Sequence, residues 1–152
     1  MSDTLTFPSL DARSLDGTRL QLPQDFADGP VIAVVAFERR QQSDVDTWLP
    51  ALLEHERDIP GLRVYEIPCI SGRWSLARPF IDGGMTAGIP DPEARARTLT
   101  TYTDVGRVVR ALGLTGTDEI AVVLTGRDGA IGWLATGPFD AGRAAELSAA
   151  LT

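Results

Sequence analysis

The sequence predicts an α/β fold with a central mixed β-sheet flanked by helices, and three features predict it. The run Val31-Ile32-Ala33-Val34-Val35-Ala36-Phe37 has no polar residue. It is too short to span a membrane, so it reads as a strand buried on both faces. Behind it, Val45, Trp48, Leu49, Leu52 and Leu53 recur at helical spacing. Leu62 to Pro68 then alternates apolar and polar, giving strand, helix, strand with parallel strands. Near the carboxyl end, two strands around Asp128-Gly129 form an antiparallel hairpin, which makes the sheet mixed.

Element by element, the chain opens on a small hairpin. Leu10, Leu15, Leu20 and Leu22 flank the turn dipeptide Asp16-Gly17, and Leu20-Gln21-Leu22 alternates as a half-buried strand should. The hairpin is expected to cover one edge or end of the sheet. The first long helix carries Pro50 inside its apolar pattern, which predicts a kink or a missing hydrogen bond. It should close near Asp58-Ile59-Pro60-Gly61. Residues 71–97 read as an insertion: Trp74, Ala77, Phe80 and Ile81 outline a short amphipathic helix, and Glu93 to Ala96 adds a turn. Thr98 to Tyr102 is a β-branched strand, and Asp104 caps a helix with Val105, Val108, Val109 and Leu112 on its apolar face. Ile120 to Leu124 and Ile131 to Leu134 form the closing hairpin. Asp140 caps the last helix, with Ala144, Leu147 and Leu151 inward. Residues 1–152 are expected to form one domain.

Composition narrows the function classes. A net charge of −7 argues against a general nucleic-acid surface. All fourteen basic residues are arginine, in keeping with a GC-rich coding bias. The one cysteine, Cys69, excludes an intramolecular disulfide. Met1-Ser2-Asp3-Thr4 lacks the basic and apolar regions of a signal peptide, and no run reaches membrane-spanning length, so a cytoplasmic location is expected. His55, Cys69 and the carboxylates show no metal-ligand spacing, and no phosphate-binding glycine motif occurs; neither metal nor cofactor is expected.

The strand, polar loop and proline-bearing helix from Phe37 to Pro50 resemble the active-site segment of thioredoxin-like proteins. Aligned on Phe37 and Pro50, the slot of the family's Cys-x-x-Cys holds Gln42-Ser43-Asp44-Val45. Ile120, after Asp118 and Glu119, stands where the family places a cis-proline, so a trans bond is expected there. The resemblance therefore implies a thioredoxin-like domain that is redox-inactive. The hairpin and the Asp104-capped helix are similar to those of peroxiredoxin-like chains. Gly129-Ala130-Ile131-Gly132-Trp133, Gly137 and the Trp48-Leu49-Pro50 step resemble the mitochondrial ATP synthase assembly chaperone family, which implies action by holding a partner protein. Gly132 departs from the basic residue expected before that tryptophan.

A binding groove is expected at the former redox site, outside the carboxyl end of the central strand. Glu38, Arg39, Arg40, Gln41, Gln42 and Glu119 would line it, with Arg39 and Arg40 able to hold a carboxylate, a phosphate or peptide backbone. Arg73, Arg78, Arg95 and Arg97 form a second basic set, expected to pair with neighbouring carboxylates such as Asp82, Asp91 or Glu93, with Arg73 and Arg78 also kept as binding candidates. Ser43 and Asp44 read as helix caps, and His55 as solvated surface. The leading expectation is a non-catalytic, chaperone-like protein that binds a protein or peptide partner. Two alternatives stand beside it: a thiol peroxidase or redox sensor using Cys69, and a small-anion binder using Arg39 and Arg40.

Overall fold

The computed structural model describes residues 5–72, 81, 83–85 and 89–152. The strands are β1 (Leu10–Ser14), β2 (Arg19–Leu22), β3 (Val31–Ala36), β4 (Arg63–Ser71), β5 (Leu99–Thr103), β6 (Ala121–Thr125) and β7 (Trp133–Thr136). They form one seven-stranded sheet in the order β2-β1-β5-β4-β3-β6-β7. The helices are α1 (Gln42–Asp58), α2 (Pro92–Arg97), α3 (Val105–Ala111) and α4 (Ala141–Ala150). A 3-10 turn, Arg39–Gln41, leads into α1.

Strand β3 is flanked by β4 in parallel and β6 in antiparallel register, and Val31 to Val35 are all buried. Alternate β3 residues feed two core layers. Val31, Ala33 and Val35 meet Phe7, Phe26, Tyr65, Val108 of α3 and Leu112 at its C-cap. Ile32 and Val34 meet Val45, Trp48 and Leu52 of α1 and Leu147 of α4. Each large side chain so buried stabilises the fold by roughly 1.5–3 kcal/mol. Helix α1 runs on through Pro50, whose missing N–H leaves that rung of the helical ladder unbonded.

The opening hairpin does more than cover an edge: β1 pairs antiparallel with β5, so the hairpin extends the sheet by two strands. Strand β4 also outruns the expected end at Pro68. Residues Arg63 to Pro68 pair with β3, and Cys69 to Ser71 pair with β5. Pro68, which cannot donate to a ladder, thus sits where β4 changes partners. Cys69 lies inside the strand rather than at its end. Of the expected insertion, Glu93 to Ala96 fall within α2, which Asp91 caps through the Glu93 N–H. The helix expected around Trp74 and Phe80 lies outside the described residues, as do Arg73, Arg78 and Asp82.

Candidate functional site

Pairing of Val35 with Ala121, and of Ala121 with Thr136, brings three connections to the carboxyl end of β3. They are residues 37–41 after β3, 117–120 before β6 and 137–140 after β7. Gln41 ties the first to the second. Its Oε1 accepts from the N–H of Phe37 at 2.8 Å and of Glu38 at 3.2 Å, while its Nε2 donates to the Thr117 carbonyl at 2.6 Å. Trp48 ties the third to α1 by donating from Nε1 to the Gly137 carbonyl at 2.9 Å, and the Phe139 N–H donates to Thr47 Oγ1. Gly137 has φ +87°, and a Cβ there would stand 2.7 Å from Glu119 Oε2.

Beside the first connection, Phe37, Arg39, Ile70, Ile81, Val105 and Thr117 line an open cleft of about 390 Å³. Its walls are apolar and its rim carries charge. Glu38 is engaged by Arg40 at 2.6 Å, which leaves Arg39 as the exposed guanidinium on the cleft.

The start of α1 holds no thiol. Gln42 is exposed and donates to Asp46 at 2.9 Å and to Glu66 on β4 at 3.4 Å. Burial pushes the Glu66 carboxyl up, with the Asp46 charge adding to the effect. The Cys69 side chain is buried in β4, 1% exposed, and burial pushes its thiol up to about 12. Such a thiol carries almost no thiolate at neutral pH. The Glu119–Ile120 bond is trans, since the cis bond among the described residues is Leu22–Pro23.

No protein-family profile and no curated protein matches the chain. Solved structures do. A member of the Sco family of cytochrome c oxidase assembly proteins superposes with TM-score 0.64 at 10% identity, covering 99% of this chain and 96% of that one. The exposed lipoprotein thioredoxin of Streptococcus pneumoniae gives 0.59 at 12% identity, covering 94% and 98%. A thiol:disulfide interchange protein from Bacteroides sp. gives 0.54 at 16% identity, covering 88% and 81%. The fold is thioredoxin-like.

On this thioredoxin-like frame the expected groove residues separate. Arg39 borders the cleft and Arg40 stays near it, turned to Glu38. Gln41 is not a groove residue: it is 1% exposed, because its amide is consumed in holding two connections together. Gln42 faces Asp46 and Glu66, and Glu119 lies against Gly137. Among the described residues Arg97 forms its ion pair with neither Asp91 nor Glu93. Its two terminal guanidinium nitrogens grip Glu56 of α1 at 2.9 and 3.0 Å, and Nη1 also donates to the Val64 carbonyl. Ser43 and Asp44 do not cap α1, whose N-cap position is Gln41; Ser43 Oγ donates back to the Arg40 carbonyl. His55 lies 3.4 Å from Ser148 of α4. Sequence reading missed Phe139, 41% exposed and edge-on to Trp48 at 5.2 Å, whose only signal was its place just before the capping Asp140. It also missed Ile70 and Val105 as cleft walls.

Proposed function

We propose that this chain is a single-domain, thioredoxin-like protein of the cytoplasm that works without thiol exchange. It holds a protein or peptide segment at the carboxyl end of β3. One observation carries the reading: the helix start that would bear a reactive thiol presents Gln42 and Ser43, while the only cysteine is sealed inside β4. Thiol-disulfide exchange needs an accessible thiolate, and this site offers none. The open cleft under Arg39 supplies what peptide recognition needs, apolar walls with a cation on the rim. The Sco neighbour, named as an assembly protein, supports a partner-holding role. The finer resemblances, to the ATP synthase assembly chaperones and to peroxiredoxin-like chains, rest on sequence alone. With Arg40 engaged by Glu38, anion binding by both arginines together is the weaker reading.

The test runs four measurements. Insulin reduction and peroxide consumption are expected to show no turnover by the wild-type chain. Alkylation of Cys69 by iodoacetamide should be slow in the native state and fast in urea. A companion retained in pull-down by wild type and Cys69→Ser should be lost by a folded Arg39→Ala variant. Turnover by wild type that disappears in Cys69→Ser would overturn the proposal and restore the thiol enzyme.

A further inference from the structure

Away from the carboxyl end of β3, three polar groups fall on one row across β2, β1 and β5. Arg19 is the register partner of Arg13, and Arg13 is the register partner of Thr100. Side chains directly opposite share a face, with Cβ atoms about 5 Å apart, and like charges so placed repel. Among the described residues neither guanidinium enters an ion pair. The Nε of Arg13 and the hydroxyl of Thr100 are both buried without a hydrogen-bond partner, and Thr100 is 0% exposed. Buried polar groups are nearly always satisfied, so two such orphans in consecutive positions of one row call for a reason.

The surrounding carboxylates do not supply it. Asp11 and Asp25 line the same open cavity of about 510 Å³ as Arg13 and Arg19. Both are already engaged by Gln21, two register steps along: Asp11 accepts from the Gln21 side-chain amide, and Asp25 accepts from the Gln21 N–H at 2.7 Å. In a chain of net charge −7, two opposed arginines are thus left without an ion pair among the described residues.

We propose that Arg13 and Arg19, which line the cavity together, form a binding site for a small phosphate-class oxyanion. Guanidinium forks match the oxygens of such an anion, and one anion placed between them converts repulsion into two charge-assisted contacts. The carboxylates at the Asp11 end would exclude a larger polyanion. The site is independent of the cleft under Arg39.

Thermal unfolding and calorimetry with inorganic phosphate, and separately phenyl phosphate, test this against sodium chloride at matched ionic strength. Phosphate is expected to raise the wild-type unfolding temperature beyond the chloride control, since a ligand bound only to the folded state stabilises it. The two probes distinguish a site for the free ion from one for a monoester. Arg13→Gln and Arg19→Gln should each weaken binding about tenfold, the loss of one charge-assisted contact. Without phosphate both should unfold no earlier than wild type, because each removes a repulsion. Equal shifts in phosphate and chloride, or a full phosphate response in both arginine variants, would overturn the proposal.

Discussion

Glu56 and Arg97 show how much a single pair can depend on what lies far away in sequence. Arg97 keeps 9% of its side chain exposed and Glu56 17%, and the carboxylate also accepts from the Val64 N–H at 2.7 Å. Burial works against the charged form of Glu56. The Arg97 hydrogen bonds, the Val64 N–H and the charges of Arg97 and Arg63 outweigh it and hold the carboxyl below its usual range. Glu56→Gln would leave Arg97 largely buried without its counter-charge. That substitution is expected to cost about 3 kcal/mol, the low end for a broken buried pair because some solvent still reaches it. Urea denaturation at neutral pH measures the loss. In the sequence, Arg97 stood among arginines with carboxylates close by, and nothing local pointed to a helix 41 residues upstream. Cys69 is the opposite case. An isolated cysteine in an alternating apolar run reads as buried, and so it is.

Elements were more legible than their joins. The turn at Asp16-Gly17, the caps Asp104 and Asp140, and the apolar faces of α1, α3 and α4 all follow from spacing within a few residues, and each stands in the structure. The extension of β4 through Pro68 and the docking of β1 on β5 follow from ladders between distant segments, which local periodicity does not encode. Gln41 belongs with these. As a polar residue in a polar loop it suggested a ligand contact, yet two of its hydrogen bonds hold its own loop and the third reaches a connection 76 residues away. Gln41→Ala would leave the N–H groups of Phe37 and Glu38 and the Thr117 carbonyl without that partner. A loss of about 2 kcal/mol is expected, in keeping with buried groups left unsatisfied. Native-state hydrogen exchange should show the effect first at the Phe37 and Glu38 amides. If those amides keep their protection, the amide of Gln41 is not what fixes the rim of the cleft.

Across the whole molecule, the α1 face of the sheet carries two glutamates whose ionisation pulls stability in opposite directions. Glu56, held below the usual range, binds fewer protons folded than unfolded as pH falls through the carboxylate region. Its contribution is fully present above the unfolded value, about 4.3 for glutamate, and is lost as pH drops through the lower folded value. Glu66, raised by burial and by Asp46, and relieved in part by Gln42 and Arg97, binds more protons folded than unfolded. Its effect on stability is therefore least adverse in acid and grows more adverse as pH climbs from the ordinary value through the raised one. Glu66→Gln should accordingly gain stability over wild type at neutral pH and lose that advantage below the ordinary carboxylate range. The deficit of Glu56→Gln should shrink over the acid side of the same range, as wild type gives up its own ion pair. Denaturant midpoints for the three proteins across that range should diverge at neutral pH and converge in acid. Should Glu66→Gln show no advantage at neutral pH, the Gln42 and Arg97 contacts outweigh burial, and Glu66 works as a charged brace beneath the start of α1.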